Sequence, residues 1–101
     1  MNNLGSYAKG ASEPAIPEGT IGAWLDRAAD TFGQGEALVV VSQDVRWSWS
    51  ALRERVDALA RGLSGLGLSV GDRVGICAPN CAEWVLTQLA TARLGLVLVS
   101  L

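Results

Sequence analysis

The chain has no histidine, only two cysteines and only three prolines. Without histidine, a zinc-type site would have to find its roughly four ligands elsewhere, and two thiols do not supply them. Two cysteines also give no disulfide scaffold. Basic residues are scarce, with eight Lys and Arg against ten Asp and Glu, a net charge of −2 and a pI near 4.9. No basic patch is present to hold a phosphate backbone, so nucleic acid is excluded as an expected partner. No apolar run reaches the length that spans a bilayer. The N-terminus lacks the charged start and apolar middle of a secretory signal, and the expected location is the cytoplasm.

Charged residues are 18% of the chain and apolar ones 50%. A free-standing domain of 101 residues has much surface for its volume and usually carries more charge. The apolar excess implies surface that other protein covers.

Residues 1–19 read as a flexible leader, since Pro14 and Pro17 exclude a helix and no apolar period is present. From Thr20, a capping residue, Ile21, Trp24, Leu25, Ala28 and Phe32 recur as one helical face, with Asp26, Arg27 and Asp30 off it. Gly33 and Gly35 end this helix. Ala37 to Val41 is a β-branched strand, Ser42-Gln43-Asp44 a turn, and Val45, Trp47 and Trp49 alternate as a second strand of a hairpin. Leu52, Val56, Leu59, Ala60, Leu63 and Leu66 form the stripe of a second helix, where Asp57 and Arg61 are spaced for an ion pair. Gly65 and Gly67 stop that helix, and Val70-Gly71-Asp72 turns the chain into a strand from Arg73 to Ala78.

Asn80 stands as an N-cap with Glu83 three residues on, a capping box, and Pro79 and Trp84 occupy the staple positions. The third helix is apolar on most sides and ends at Gly95, with Thr87, Gln88, Thr91 and Arg93 as its polar members beyond the first turn. Leu96 to Leu101 reads as a strand covered on both faces. Strand, helix, strand in this order make a parallel, right-handed βαβ unit. The expected fold class is α/β: an N-terminal helix, a β-hairpin, then α-β-α-β, forming part of a larger domain.

Several residues invite sharper chemistry. Cys77 and Cys81 read as structural thiols, Cys77 facing the core from its strand. Cys81, beside a helix N-terminus, would be reactive only with a base beside it. Gly62, Gly65, Gly67 and Gly71 follow a helix and lead into a strand, the reverse of a phosphate loop. Trp24, Trp47, Trp49 and Trp84 read as core packing. Nothing brings Asp26, Glu54 and Asp57 together as a carboxylate pair. No catalytic, cofactor-binding or metal-ligating residue is assigned.

The stretch Val70-Gly71-Asp72-Arg73-Val74-Gly75-Ile76 resembles a strand entry of the adenylate-forming, AMP-binding acyl-CoA synthetases. Asn80-Cys81-Ala82-Glu83-Trp84-Val85 and Gln88-Leu89-Ala90-Thr91-Ala92 are similar to the helix that follows it there. Leu98-Val99-Ser100-Leu101 resembles the next strand, and Glu36 to Val40 and Leu59 to Leu63 fit the same template. Asp44-Val45-Arg46 and Ala90-Thr91-Ala92 look like the medium-chain fatty acyl-CoA synthetase branch. In Ser48-Trp49-Ser50-Ala51-Leu52 the chain departs from the family, because Ala51 stands where Glu would close a capping box.

The resemblance implies an ATP- and magnesium-dependent enzyme that forms an acyl-adenylate and transfers the acyl group to coenzyme A. The family's phosphate loop, adenylate-binding motif, ribose-binding Asp and C-terminal Lys have no counterpart in this sequence. Residues 20–101 are therefore expected to be a truncated N-terminal segment of a fatty acid–CoA ligase, a scaffold inactive alone that binds no cofactor itself. Its expected partner is the remainder of the synthetase chain, or a second copy through the C-terminal strand. The alternative is a small independent α/β interaction protein that dimerises or binds a full-length synthetase. The downstream DNA discriminates the two.

Overall fold

A computed structural model describes residues 10, 13 and 18–101 of the chain. Most of the leader expected over 1–19 therefore lies outside the described residues.

Helix α1 (Ile21–Phe32) begins at Thr20, whose hydroxyl accepts from the Ala23 N–H at 3.0 Å. Strands β1 (Glu36–Val40) and β2 (Val45–Ser48) pair antiparallel, joined by a 3-10 turn (Val41–Gln43) and by Asp44 in the left-handed region at φ 54°. Helix α2 (Trp49–Gly65) starts with Ser48 as its cap, the hydroxyl accepting from the Ala51 N–H at 3.1 Å. Half of the capping box thus suffices. Trp49 is the first residue of this helix and not, as the alternation suggests, the last of the strand. The cap sets the boundary, because Ser48 leaves the strand once its side chain bonds the next turn.

Strand β3 (Arg73–Ile76) and strand β4 (Val97–Ser100) pair in parallel across helix α3 (Ala82–Leu94), the expected βαβ unit. Two small sheets result, β1-β2 and β3-β4. The α/β class and element order hold. Gly95 ends α3 at φ 70°, and Leu96 N–H returns to Thr91 O at 2.9 Å. A side chain at Gly95 would also press on Val70.

The core lies where the three helices meet. Leu25, Leu52, Val56, Ala60 and Ala90 are buried together, with Val56 and Ala90 fully enclosed. Thr91 is buried too, its hydroxyl donating to the carbonyls of Thr87 and Gln88.

Three expectations fail on burial. The inner face of α1 is Gly22, Leu25 and Ala29, while Ile21 and Phe32 are exposed. Cys77 lies beyond the end of β3 and is exposed, so it does not face the core. Leu96 is buried, but Val97, Val99 and Leu101 are exposed, so β4 is not covered on both faces. Backbone pairing to β3 satisfies one edge of β4, and the described residues place no layer over that apolar face.

Candidate functional site

The N-terminus of α3 corrects the capping prediction. Its cap residue is Cys81, which makes no side-chain cap bond, and Asn80 is not the cap. The role passes to Gln43 in the hairpin turn. Its Oε1 accepts from Ala82 N–H at 2.7 Å, and its Nε2 donates to the Glu83 carboxylate at 2.6 Å. Glu83 therefore turns to the hairpin instead of back to its own helix. A residue 39 positions upstream replaces the local cap.

The densest polar cluster joins the three helices. Arg93 on α3 donates from both terminal nitrogens to Asp26 on α1, at 3.1 and 2.9 Å. Its Nε lies 2.9 Å from Asp57 Oδ1 on α2. That contact is an ion pair with the N–H aimed off the line, since the buried Nε makes no hydrogen bond. Arg53 on α2 reaches Asp30 at 3.0 Å and Asp26 at 3.9 Å. The hydrogen bonds from Arg93 hold the Asp26 carboxyl below its usual value; burial opposes this, and the charges of Arg93 and Arg53 add to it. Arg93 is raised in turn, first by its bond to Asp26, against burial, and further by the charges of Asp57 and Asp26.

Two expectations change here. Asp26 and Asp57 do converge, and Glu54 does not join them. They converge on an arginine, which makes them a tie between helices and not an acid–base pair. Asp57 pairs with Arg93 and not with Arg61, because Arg93 is the cation held at the less exposed position. A lone arginine among the apolar residues of α3 was the available sequence signal: such a cation must find carboxylates or stay in water.

An open apolar groove of about 330 Å³ is lined by none of these charged residues. Ile21, Trp24 and Ala28 of α1 form one wall, with Leu38 of β1 and Val85 and Leu89 of α3 opposite. Most of the residues read as the core face of α1 thus line a groove. The Trp24 indole is partly exposed, with the Arg27 guanidinium 4.2 Å above its ring. Arg55 stacks likewise on Trp47 at 4.4 Å. Trp84 is half-buried. Cys81 is half-buried beside the α3 cap, among neighbours that offer an amide and a carboxylate already bonded to each other. The glycine-rich stretch is the end of α2 and the turn into β3, with Gly67 and Gly71 at positive φ.

Among the described residues no helix is long and apolar enough to cross a membrane, and no three His, Cys, Asp or Glu side chains gather as metal ligands.

Comparison with known proteins agrees with the resemblance read over residues 20–101. The chain is 45% identical over 95 residues to medium-chain acyl-CoA ligase ACSF2, mitochondrial, of Pongo abelii, covering 94% of this chain and 15% of that protein. It thus spans about a seventh of the length of that relative. A fatty acyl CoA synthetase of Mycobacterium tuberculosis superposes with a TM-score of 0.78 at 32% identity, over 81% of this chain and 16% of that one. The N-terminal domain of FACL13 from the same organism gives a TM-score of 0.78 at 32% identity, over 81% of this chain and 21% of that one. The α/β arrangement is therefore part of a larger domain in its structural neighbours. With residues 25–101 matched to the AMP-binding enzyme family, the chain belongs to that family.

Proposed function

We propose that this chain is scaffold in the N-terminal domain of a medium-chain fatty acid–CoA ligase and contributes none of the groups that react. The observation that carries the reading is 45% identity, over 94% of the chain, to a relative named a medium-chain acyl-CoA ligase. In such an enzyme a carboxylate attacks the α-phosphate of ATP, releasing pyrophosphate, and the coenzyme A thiol then takes the acyl group. ATP with its magnesium, and coenzyme A, are the substrates proposed for the whole protein. Asp26 and Asp57 do not fit a magnesium ion, since arginine already neutralises both. Arg93 does not fit a triphosphate for the same reason. These side chains set the angles of α1, α2 and α3, on which the rest of such a domain would pack.

Pyrophosphate exchange with a medium-chain acid tests this. The purified 101-residue chain should stay at background. Exchange above background would overturn the scaffold reading.

The proposed partner is the remainder of a synthetase chain, laid on β4. The exposed Val97, Val99 and Leu101 favour a second reading, in which a second copy takes that face. Size-exclusion chromatography over a range of concentrations separates the two, since only the second requires a dimer of defined mass. Nucleic acid is not a proposed partner of this acidic chain. The proposed compartment is the cytoplasm; the Pongo abelii relative is named mitochondrial, and fractionation of the host cell decides between them.

A further inference from the structure

The open groove holds two tryptophans, Trp24 and Trp49, among aliphatic side chains, and no charged side chain of the described residues lines it. Trp24 is held in place twice. Its Nε1 donates to the Glu18 carbonyl at 3.1 Å, and the Arg27 guanidinium lies 4.2 Å from the centre of its ring. The indole N–H is thus satisfied at its edge, and the ring is a fixed aromatic wall.

Charge at the rim is left with one sign. Each carboxylate of α1, β1 and α3 already has a partner: Asp26 has Arg93, Asp30 has Arg53, Glu36 has Arg46, and Glu83 has the Gln43 amide. Glu54 of α2 is exposed and does not line the groove. Glu18 meets Trp24 through its backbone carbonyl. Arg27 has no carboxylate partner among the described residues. It stands beside Ala28 and over Trp24, two residues of the groove wall. A cation without a partner therefore borders an apolar cleft.

That pairing selects a chemistry. An apolar body gains by leaving water for the cleft. A single negative group on it meets the guanidinium at the rim, where both still touch water and neither charge is buried. The size selects further. A volume of about 330 Å³ falls at the small end of ligand sites, which run from about 300 to 1,000 Å³. This favours one small molecule over a protein surface. An apolar cavity of about 150 Å³ takes one benzene ring, so two fused rings suit this groove.

We propose that the groove is a binding site for a small organic anion. Its apolar body lies against Trp24, Trp49 and Leu89, and its one carboxylate or sulfonate pairs with Arg27. Arg27 sets the preference for an anion, and the small side chain of Ala28 keeps the cleft open. The inference does not rest on the ligase reading, since the site holds no reacting group and pyrophosphate exchange does not report on it.

The test titrates the whole chain with naphthoate and with neutral naphthalenemethanol, which share the ring system and differ in charge. The indole N–H signals of the nitrogen-labelled protein locate the binding: those of Trp24 and Trp49 should shift more than those of Trp47 and Trp84. Naphthoate should bind about threefold more tightly than the alcohol, the scale of a solvent-exposed ion pair. Arg27→Gln, at an exposed position, should erase that preference and leave the alcohol unchanged. Arg55→Gln removes the other stacked arginine, over Trp47 outside the groove, and should keep it. Ala28→Leu should weaken both probes about tenfold by filling the cleft. Equal affinity for the two probes, or a preference that survives Arg27→Gln, would overturn the proposal. So would the absence of any shift at Trp24 and Trp49; a dimer on size-exclusion chromatography would then give the groove to a second copy.

Discussion

The two ends of this molecule are built on different terms. At one end, α1, α2 and α3 enclose Val56 and Ala90 completely, and the Asp30–Arg53–Asp26–Arg93–Asp57 chain of charges rims the same junction. At the other, β3 and β4 form a two-stranded parallel sheet whose Val97 is 47% exposed and Leu101 82% exposed. A two-stranded sheet is marginal alone, and parallel sheets ordinarily have both faces covered. The helical end encloses its centre with its own side chains, although a groove along α1 stays open. The parallel strands lean on α3 and present the rest of their apolar surface outward. The contrast is between a helical junction that encloses its own core and a small sheet whose apolar side chains stay exposed.

The same substitution at each end breaks the comparison most directly. Val56→Ala should cost about 2–3 kcal/mol, from lost transfer energy and the cavity left behind. Val97→Ala should cost about 0.5 kcal/mol or less, as at an open surface. Denaturant midpoints measure both, and equal costs would show that the strands are covered after all.

The charged rim should give the next largest effect. Arg93→Ala should cost about 1–2 kcal/mol, less than a buried pair because these side chains still reach water. The pH dependence sharpens this. Asp26 has a folded pKa below its ordinary 3.8, so its contribution is complete above the unfolded value and is lost as pH falls through the lower folded one. The stability advantage of wild type over Asp26→Asn should be constant from neutral pH to near 5, then vanish in stronger acid. An advantage that persists at low pH would refute the ionic origin.

The smallest effect links the hairpin to the βαβ unit. Gln43→Ala removes a helix cap and should cost about 1 kcal/mol. Asn80→Ala should leave the midpoint unchanged, although Asn80 is the residue that looks like a cap. A reversal of the two would restore the local capping box.

How much of this was legible in the residues follows from distance along the chain. Thr20 caps its helix as read, because a cap and its N–H are three residues apart, while Ser48, read within the second strand, turns out to cap α2. The α2 stripe buries Leu52, Val56 and Ala60 as its period requires, though Leu66 at its end is 75% exposed. The candidate site was another matter. Arg93 reaches across 67 positions to Asp26, and the local partner Arg61 is passed over. The groove was hidden for a related reason: periodicity says that Ile21, Trp24 and Ala28 share a face, but not what stands opposite it.

By itself, the sequence determined the family, the order of elements and the parallel βαβ unit. The family follows from the resemblance of its motifs; the elements and their pairing follow from periods of two and 3.6 and from turn chemistry, which act over a few residues. Only the tertiary structure decided which carboxylates Arg93 would neutralise, that Gln43 would cap α3, and that β4 would show its apolar face. Each of these depends on residues brought together by packing. Competition among several chemically adequate partners is settled there by geometry and access to water, neither of which is written in local spacing.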